Sequence, residues 1–246
     1  MALAAAGRNP AALRRGGHSV LDSLRAQAST LQGVGDAERT ILAARACGAL
    51  AYSFAGRHLV SEMTRARARD HSFAEQVNLT AFAIFAMRAI GHSPGFGPIR
   101  DAAGWIERQR NDDGGFSFST RGGSSDVDDT AAALQALVDA GARNRRALVP
   151  ATSYLIAAQN PDGGYPQQPG GESNAQSTAW AVQGLIAAGR DPASVRRRGS
   201  RSPLGYLETL LTSGGSIRYS RTSAQTPVWV TAQALIAQAG AIFPVG

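Results

Sequence analysis

Ala5-Ala6-Gly7-Arg8-Asn9-Pro10-Ala11-Ala12-Leu13-Arg14-Arg15-Gly16-Gly17-His18-Ser19 returns later in the chain as Ala187-Ala188-Gly189-Arg190-Asp191-Pro192-Ala193-Ser194-Val195-Arg196-Arg197-Arg198-Gly199-Ser200-Arg201-Ser202. Around these two copies, apolar stretches stop at a glycine again and again, at Gly7, Gly48, Gly91, Gly141, Gly189 and Gly240, with intervals of 41 to 51 residues. Self-similarity at such a period marks one supersecondary unit repeated in a stacked or closed array.

Each unit pairs two kinds of helix. One kind opens with threonine and is apolar on almost every side: Thr80-Ala81-Phe82-Ala83-Ile84-Phe85, Thr130-Ala131-Ala132-Ala133-Leu134 and Thr178-Ala179-Trp180-Ala181-Val182. A helix apolar all round is buried all round, so these form an inner layer. Thr226-Pro227-Val228-Trp229 opens another, with proline where its missing N–H costs nothing. The second kind is amphipathic: Pro98-Ile99 leads to Ala102, Ala103 and Ile106, and Pro203-Leu204 leads to Leu207, Leu210 and Leu211. These predict outer helices with one apolar face. Six inner helices, the first cut short, and five outer ones make an all-α fold, an α/α toroid of helix hairpins spanning 1–246 as a single domain. Ring closure sets the stub Met1–Gly7 beside the helix ending at Gly240; an open solenoid is the alternative with the same periodicity.

Composition narrows the function classes. No apolar run approaches the roughly 20 residues of a membrane-spanning helix. The formal charge of +7 is carried by arginine alone, because the chain has no lysine. The arginines gather at Arg14-Arg15, Arg65-Ala66-Arg67-Ala68-Arg69, Arg143 to Arg146 and Arg196-Arg197-Arg198, in connectors or on outer helices. That placement reads as a solvated outer surface. Without a motif or interleaved aromatics, nucleic acid is not an expected partner, while attraction to anionic headgroups stays open. Cys47 is the lone cysteine, set in an apolar helix, so it reads as a small buried hydrophobe. Met1–Ala6 is too short for a signal peptide and matches the last turn of an inner helix, so the chain begins inside a repeat. An upstream segment or partner domain is the expected complement, and the sequence gives no cellular location.

Two outer helices run into similar turns, Gln109-Arg110-Asn111-Asp112-Asp113-Gly114-Gly115-Phe116 and Gln159-Asn160-Pro161-Asp162-Gly163-Gly164-Tyr165, with a weaker echo at Asp70-His71-Ser72-Phe73. Their aspartates read as turn formers and their aromatics as plugs between repeats. One unit alone places a dense acidic cluster at the start of its inner helix, Asp126-Val127-Asp128-Asp129-Thr130. Negative charge and N-caps are favourable there, but the comparable positions hold Asn78, Gln176 and Glu38, so the fold does not require three aspartates. Together they predict a polar ring at the barrel mouth. Carboxylates crowded at an apolar cavity also retain a proton that a lone aspartic acid, with a pKa of about 3.9, would lose.

The glutamine, Asp-Gly-Gly, aromatic turns and Asp126-Val127-Asp128-Asp129-Thr130-Ala131 resemble the terpenoid cyclase and protein prenyltransferase superfamily, most closely the barrel domain of class II, squalene–hopene-type cyclases. The resemblance implies that Asp128 donates a proton to an alkene or epoxide, flanked by Asp126 and Asp129, without metal or cofactor. It implies a hydrophobic isoprenoid ligand and a cavity with aromatic faces for the resulting cation. Candidate substrate-binding residues are Phe82, Phe85, Trp180 and Trp229, with Asn78 and Gln176 in the polar ring; ordinary core packing is the other reading of each aromatic. The chain departs from the pattern in lacking a second helical domain and an identifiable histidine behind the acid. Cys47 does not suit a prenyltransferase zinc site, and Asn111-Asp112-Asp113-Gly114 does not make a magnesium motif. The expected function is protonation-initiated cyclisation of a linear polyprenyl chain. A non-catalytic ligand- or protein-binding toroid is the alternative, followed by a carbohydrate-active toroid using a carboxylate pair.

Overall fold

The computed structural model describes residues 1–142 and 145–245; Arg143, part of one basic run, lies outside the described residues. The helices are α1 (Ala2–Ala5), α2 (Val20–Ala26), α3 (Gly33–Ala46), α4 (Leu59–Arg65), α5 (Val77–Ala89), α6 (Gly97–Arg108), α7 (Val127–Asp139), α8 (Arg145–Ala158), α9 (Ala175–Ala187), α10 (Pro203–Glu208) and α11 (Pro227–Gln238). A two-residue hairpin, β1 (Arg14–Arg15) against β2 (His18–Ser19), is the one sheet among the described residues.

The inner ring runs α3, α5, α7, α9, α11 and α1, each packed against the next. The remaining five helices lie outside it, with α4, α6, α8 and α10 against α3, α5, α7 and α9. The toroid expected from the repeats is the fold observed, and the stub α1 does lie against α11. Burial follows the two sequence patterns. Helix α9 is buried from Ala175 through Leu185 apart from Gln176, whereas α6 buries only Ile99, Ala102, Trp105 and Ile106.

One hydrogen bond sets the register of each inner helix. The first-turn threonine hydroxyl of α5, α7 and α9 accepts the backbone N–H of the aromatic that ends the preceding turn: Phe73 to Thr80 at 3.0 Å, Phe116 to Thr130 at 2.9 Å and Tyr165 to Thr178 at 2.9 Å. In α11 the acceptor is Thr231, taking the Ile217 N–H at 2.8 Å. This corrects the sequence register, which used Thr226; that residue precedes the helix in a left-handed conformation.

The Asp-Gly-Gly turns are structural. Asp113 Oδ1 accepts the Gly115 N–H and the Ser125 hydroxyl, and Asp162 Oδ1 accepts the Gly164 N–H and the Ser173 hydroxyl. Outer-helix tyrosines close the same joint, Tyr154 donating to the Ser125 carbonyl at 2.9 Å and Tyr206 to the Ser173 carbonyl at 2.6 Å. Gly163 has φ +92°, and a Cβ there would lie 2.3 Å from the Arg201 carbonyl oxygen.

One buried group stands out. Glu38 on α3 is 0 % exposed and neither carboxylate oxygen has a hydrogen-bonding partner. Burial pushes its pKa well above the ordinary carboxylate range, against the weaker pull of the neighbouring Arg39.

Two stability tests follow from these joints. Gly163→Ala adds left-handed strain and a backbone clash, so we expect a loss of about 3 kcal/mol in urea unfolding. Gly189→Ala, at φ +71° with open space around it, should lose about 1 kcal/mol, the conformational cost alone. Glu38 binds its proton more tightly in the native than in the unfolded chain, so native stability declines as pH rises above the ordinary carboxylate range. Glu38→Gln should therefore gain about 1–3 kcal/mol over the parent at pH 8, and the difference should shrink at pH 5.

Candidate active site

Five inner helices each present a pair of residues four apart to a central cavity of about 500 Å³: Arg39 and Ala43, Asn78 and Phe82, Asp128 and Ala132, Gln176 and Trp180, Trp229 and Gln233. Residues four apart share one helix face, one turn above the other. The first members form the polar ring at the mouth and the second members form a deeper tier. In α5, α7, α9 and α11 the pairs sit two residues before and two after the register threonine, so the repeat joint itself aims them inward.

The polar ring differs from expectation at one place. Glu38 does not border the cavity; Arg39 does, with its guanidinium carbon 4.8 Å from the centre of the Phe82 ring. Trp229 stands at the mouth, 52 % exposed, rather than in the tier of Phe82 and Trp180. Phe85 is also corrected: it is fully buried and absent from the cavity wall, packing behind Phe82 with ring centres 5.7 Å apart. Phe82, Trp180, Asn78 and Gln176 all border the cavity. The four histidines do not.

Sequence reasoning missed the far end. The C-terminal tail turns back under the ring, and the Phe243 N–H donates to Gln135 Oε1 at 3.2 Å. The Phe243 ring lies 5.6 Å from both Phe85 and Trp180 and 5.7 Å from Phe82. A phenylalanine beside a proline after the last repeat was its only sequence signal.

The three aspartates divide into two roles. Asp126 is the N-cap of α7, its Oδ1 accepting the Asp129 N–H at 2.8 Å. Burial raises the Asp126 pKa, and burial followed by the adjacent Asp126 charge pushes Asp129 up to about 9. Both carboxyls of this adjacent pair are therefore shifted toward the protonated form. Asp128 stands apart. Its Oδ2 accepts from Gln176 Nε2 at 2.9 Å, while Gln176 Oε1 accepts from Trp229 Nε1 at 3.2 Å. Indole nitrogen can only donate, so Trp229 fixes which end of the Gln176 amide faces Asp128. Asp128 Oδ1 is shut off from solvent and has no hydrogen-bonding partner. Burial raises the Asp128 pKa to about 6, opposed by the nearby polar side chains of Ser177 and Gln176 and aided by the Asp126 charge. The amide oxygen of Gln233 is likewise buried without a partner.

No protein-family model matches the chain. By sequence it is 43% identical over 101 residues to a drimenyl diphosphate synthase of Streptantibioticus cattleyicolor, covering 39% of this chain and 19% of that protein. It is 38% identical over 91 residues to a drimenyl diphosphate synthase of Streptomyces showdoensis, covering 37% and 16%. The chain thus matches less than one fifth of the length of these relatives. Among solved structures, an ent-copalyl diphosphate synthase from Streptomyces platensis superposes with a TM-score of 0.62 and 17% identity, over 97% of this chain and 49% of that one. A Candida albicans protein geranylgeranyltransferase-I complexed with GGPP gives 0.52 and 16%, over 66% and 48%. A glycosyl hydrolase family 88 protein from Bacteroides vulgatus gives 0.60 and 13%, over 94% and 78%. At these identities the structural likeness speaks for the toroid alone. The sequence likeness to two diphosphate synthases, over about two fifths of the chain, goes further and supports a terpenoid cyclase and protein prenyltransferase-like superfamily.

Proposed function

We propose that this chain is the acid-bearing barrel of a class II-like terpene cyclase, with Asp128 as general acid toward a linear polyprenyl substrate. The observation that carries the reading is Asp128 on the wall of a cavity lined by Phe82, Trp180, Trp229 and Phe243, with one carboxyl oxygen, Oδ1, left without a partner. Because Oδ2 accepts from Gln176, the acid proton belongs on Oδ1. The Oδ1–H bond breaks as a C–H bond forms at one alkene carbon, and the alkene electron pair supplies the new bond. The positive charge left on the other carbon is attacked by the next double bond, closing a ring, and a final proton loss ends the sequence. Aromatic faces stabilise the moving charge by about 0.5–2 kcal/mol each. Burial, and then the charge of Asp126, hold the proton on the acid until an alkene arrives.

The relatives' names supply the substrate class: drimenyl diphosphate synthases and an ent-copalyl diphosphate synthase form products that bear a diphosphate. Arg39 suits such a head group here. It borders the cavity and has no carboxylate within salt-bridge distance among the described residues.

Three measurements test this reading. Asp128→Asn should lower cyclisation of a polyprenyl diphosphate at least about a thousandfold, with the circular-dichroism melt unchanged; turnover by the variant would refute the acid. Only protonated Asp128 is competent, so kcat/KM should fall about tenfold per pH unit above about 6, with a plateau below. Arg39→Gln should weaken binding of a polyprenyl diphosphate by about tenfold or more and leave the matching polyprenol unaffected, as read by tryptophan fluorescence titration.

A further inference from the structure

We propose that Phe243, returned to the barrel by the C-terminal tail, is the residue that sets how long a prenyl chain the cavity accepts. The inference rests on the reading of the cavity as a prenyl site and adds the residue that selects among substrates. Phe243 belongs to no repeat. It is the one cavity-lining residue that comes from the chain beyond α11, and it is 4 % exposed. Its position is fixed from two directions. The backbone N–H is held by Gln135 Oε1, and the ring is stacked on Phe85 at 24° while touching Phe82 and Trp180.

Gln135 lies on the same helix as Asp128 and roughly 10 Å farther along it, at 1.5 Å per residue. The acid and the Phe243 ring therefore bracket the cavity, one at the mouth and the other at the opposite end. A chain whose reacting alkene sits at Asp128 must fold within that depth. Removing the phenyl ring opens a space close in bulk to one isoprene unit at that end of the cavity. Apolar pockets discriminate one missing or added methylene by about tenfold or more, so a whole isoprene unit gained at the end of the cavity is a readable change.

The test is tryptophan fluorescence titration of the full chain with geraniol, farnesol and geranylgeraniol. Trp180 and Trp229 on the cavity wall report occupancy. Phe243→Ala should move the preference toward the next longer alcohol by about tenfold relative to the parent, and Phe243→Trp should move it toward the shorter one. Phe243→Leu gives a smaller shift in the direction of alanine and serves where the alanine variant does not fold, as judged by its melt. An unchanged order of affinities across the folded variants, or no binding of any alcohol by the parent, overturns the proposal. Product formation is followed in parallel. A shifted preference without cyclised product removes the acid reading and leaves the gauge standing. Cyclised product with unmoved chain-length preference removes the gauge alone.

Discussion

The bond from an aromatic N–H to a first-turn threonine hydroxyl is the constraint on which the barrel depends. It ties the turn that ends one outer helix to the start of the next inner helix, in three repeats with an aromatic and in a fourth with Ile217. Both partners are buried in α5, α7 and α9, where an unpaired amide would cost about 1–3 kcal/mol. The bond is therefore enforced, and it fixes rotation as well as position. Once the threonine is locked outward to the turn, the residues two before and two after it face the axis. The mouth ring and the aromatic tier are consequences of one repeated joint, and the sequence can vary at those positions without disturbing the fold.

The acidic cluster shows how capping and chemistry divide the same stretch. A cap at this position is ordinary: Asn174 caps α9 with the same geometry, accepting the Ser177 N–H at 2.8 Å. Asp126 does that work on α7, and burial followed by the Asp126 charge raises the pKa of Asp129. Neither role accounts for Asp128, whose Oδ1 is held by no group and is removed from water. An orphaned acceptor in the core costs stability, and protonation of the carboxyl relieves that cost. The capping reading of this stretch belongs to Asp126, and the chemical proposal rests on Asp128 alone.

How much of this was legible depended on where a residue stood in the repeat. The threonine-led helices, the turn-forming aspartates and the inward positions of Phe82 and Trp180 follow from periodicity. The α11 register does not, because its turn, Thr212-Ser213-Gly214-Gly215-Ser216-Ile217, lacks both the aspartate and the aromatic that mark the others. Arg39 was hidden for a related reason. Aligning Thr40 with Thr130 places Glu38 in the ring, yet the cavity pair of α3 is Arg39 and Ala43, so Ile41 takes the threonine's place and the helix is turned by one residue. Phe85 shares the helix face of Asn78 and Phe82 but lies deeper, where the Phe243 ring stacks on it and takes its place on the cavity wall. Phe243 follows the last repeat, where no period predicts anything.

The asymmetry of the mouth ring is what lets symmetric repeats form a site. An arginine on either helix next to α7 would bring opposite charge to the aspartates and favour their ionised forms, lowering pKa values by one to three units. The chain puts its cavity arginine on α3, with α5 and its neutral Asn78 between, and no arginine is among the groups that shift Asp128. The other neighbour, α9, offers Gln176, a donor without charge. Asp128 thus gains orientation from one side and isolation from the other, while the Arg39 guanidinium stands across the same opening. A barrel whose mouth positions were alike could not set an isolated carboxyl and a guanidinium around one cavity.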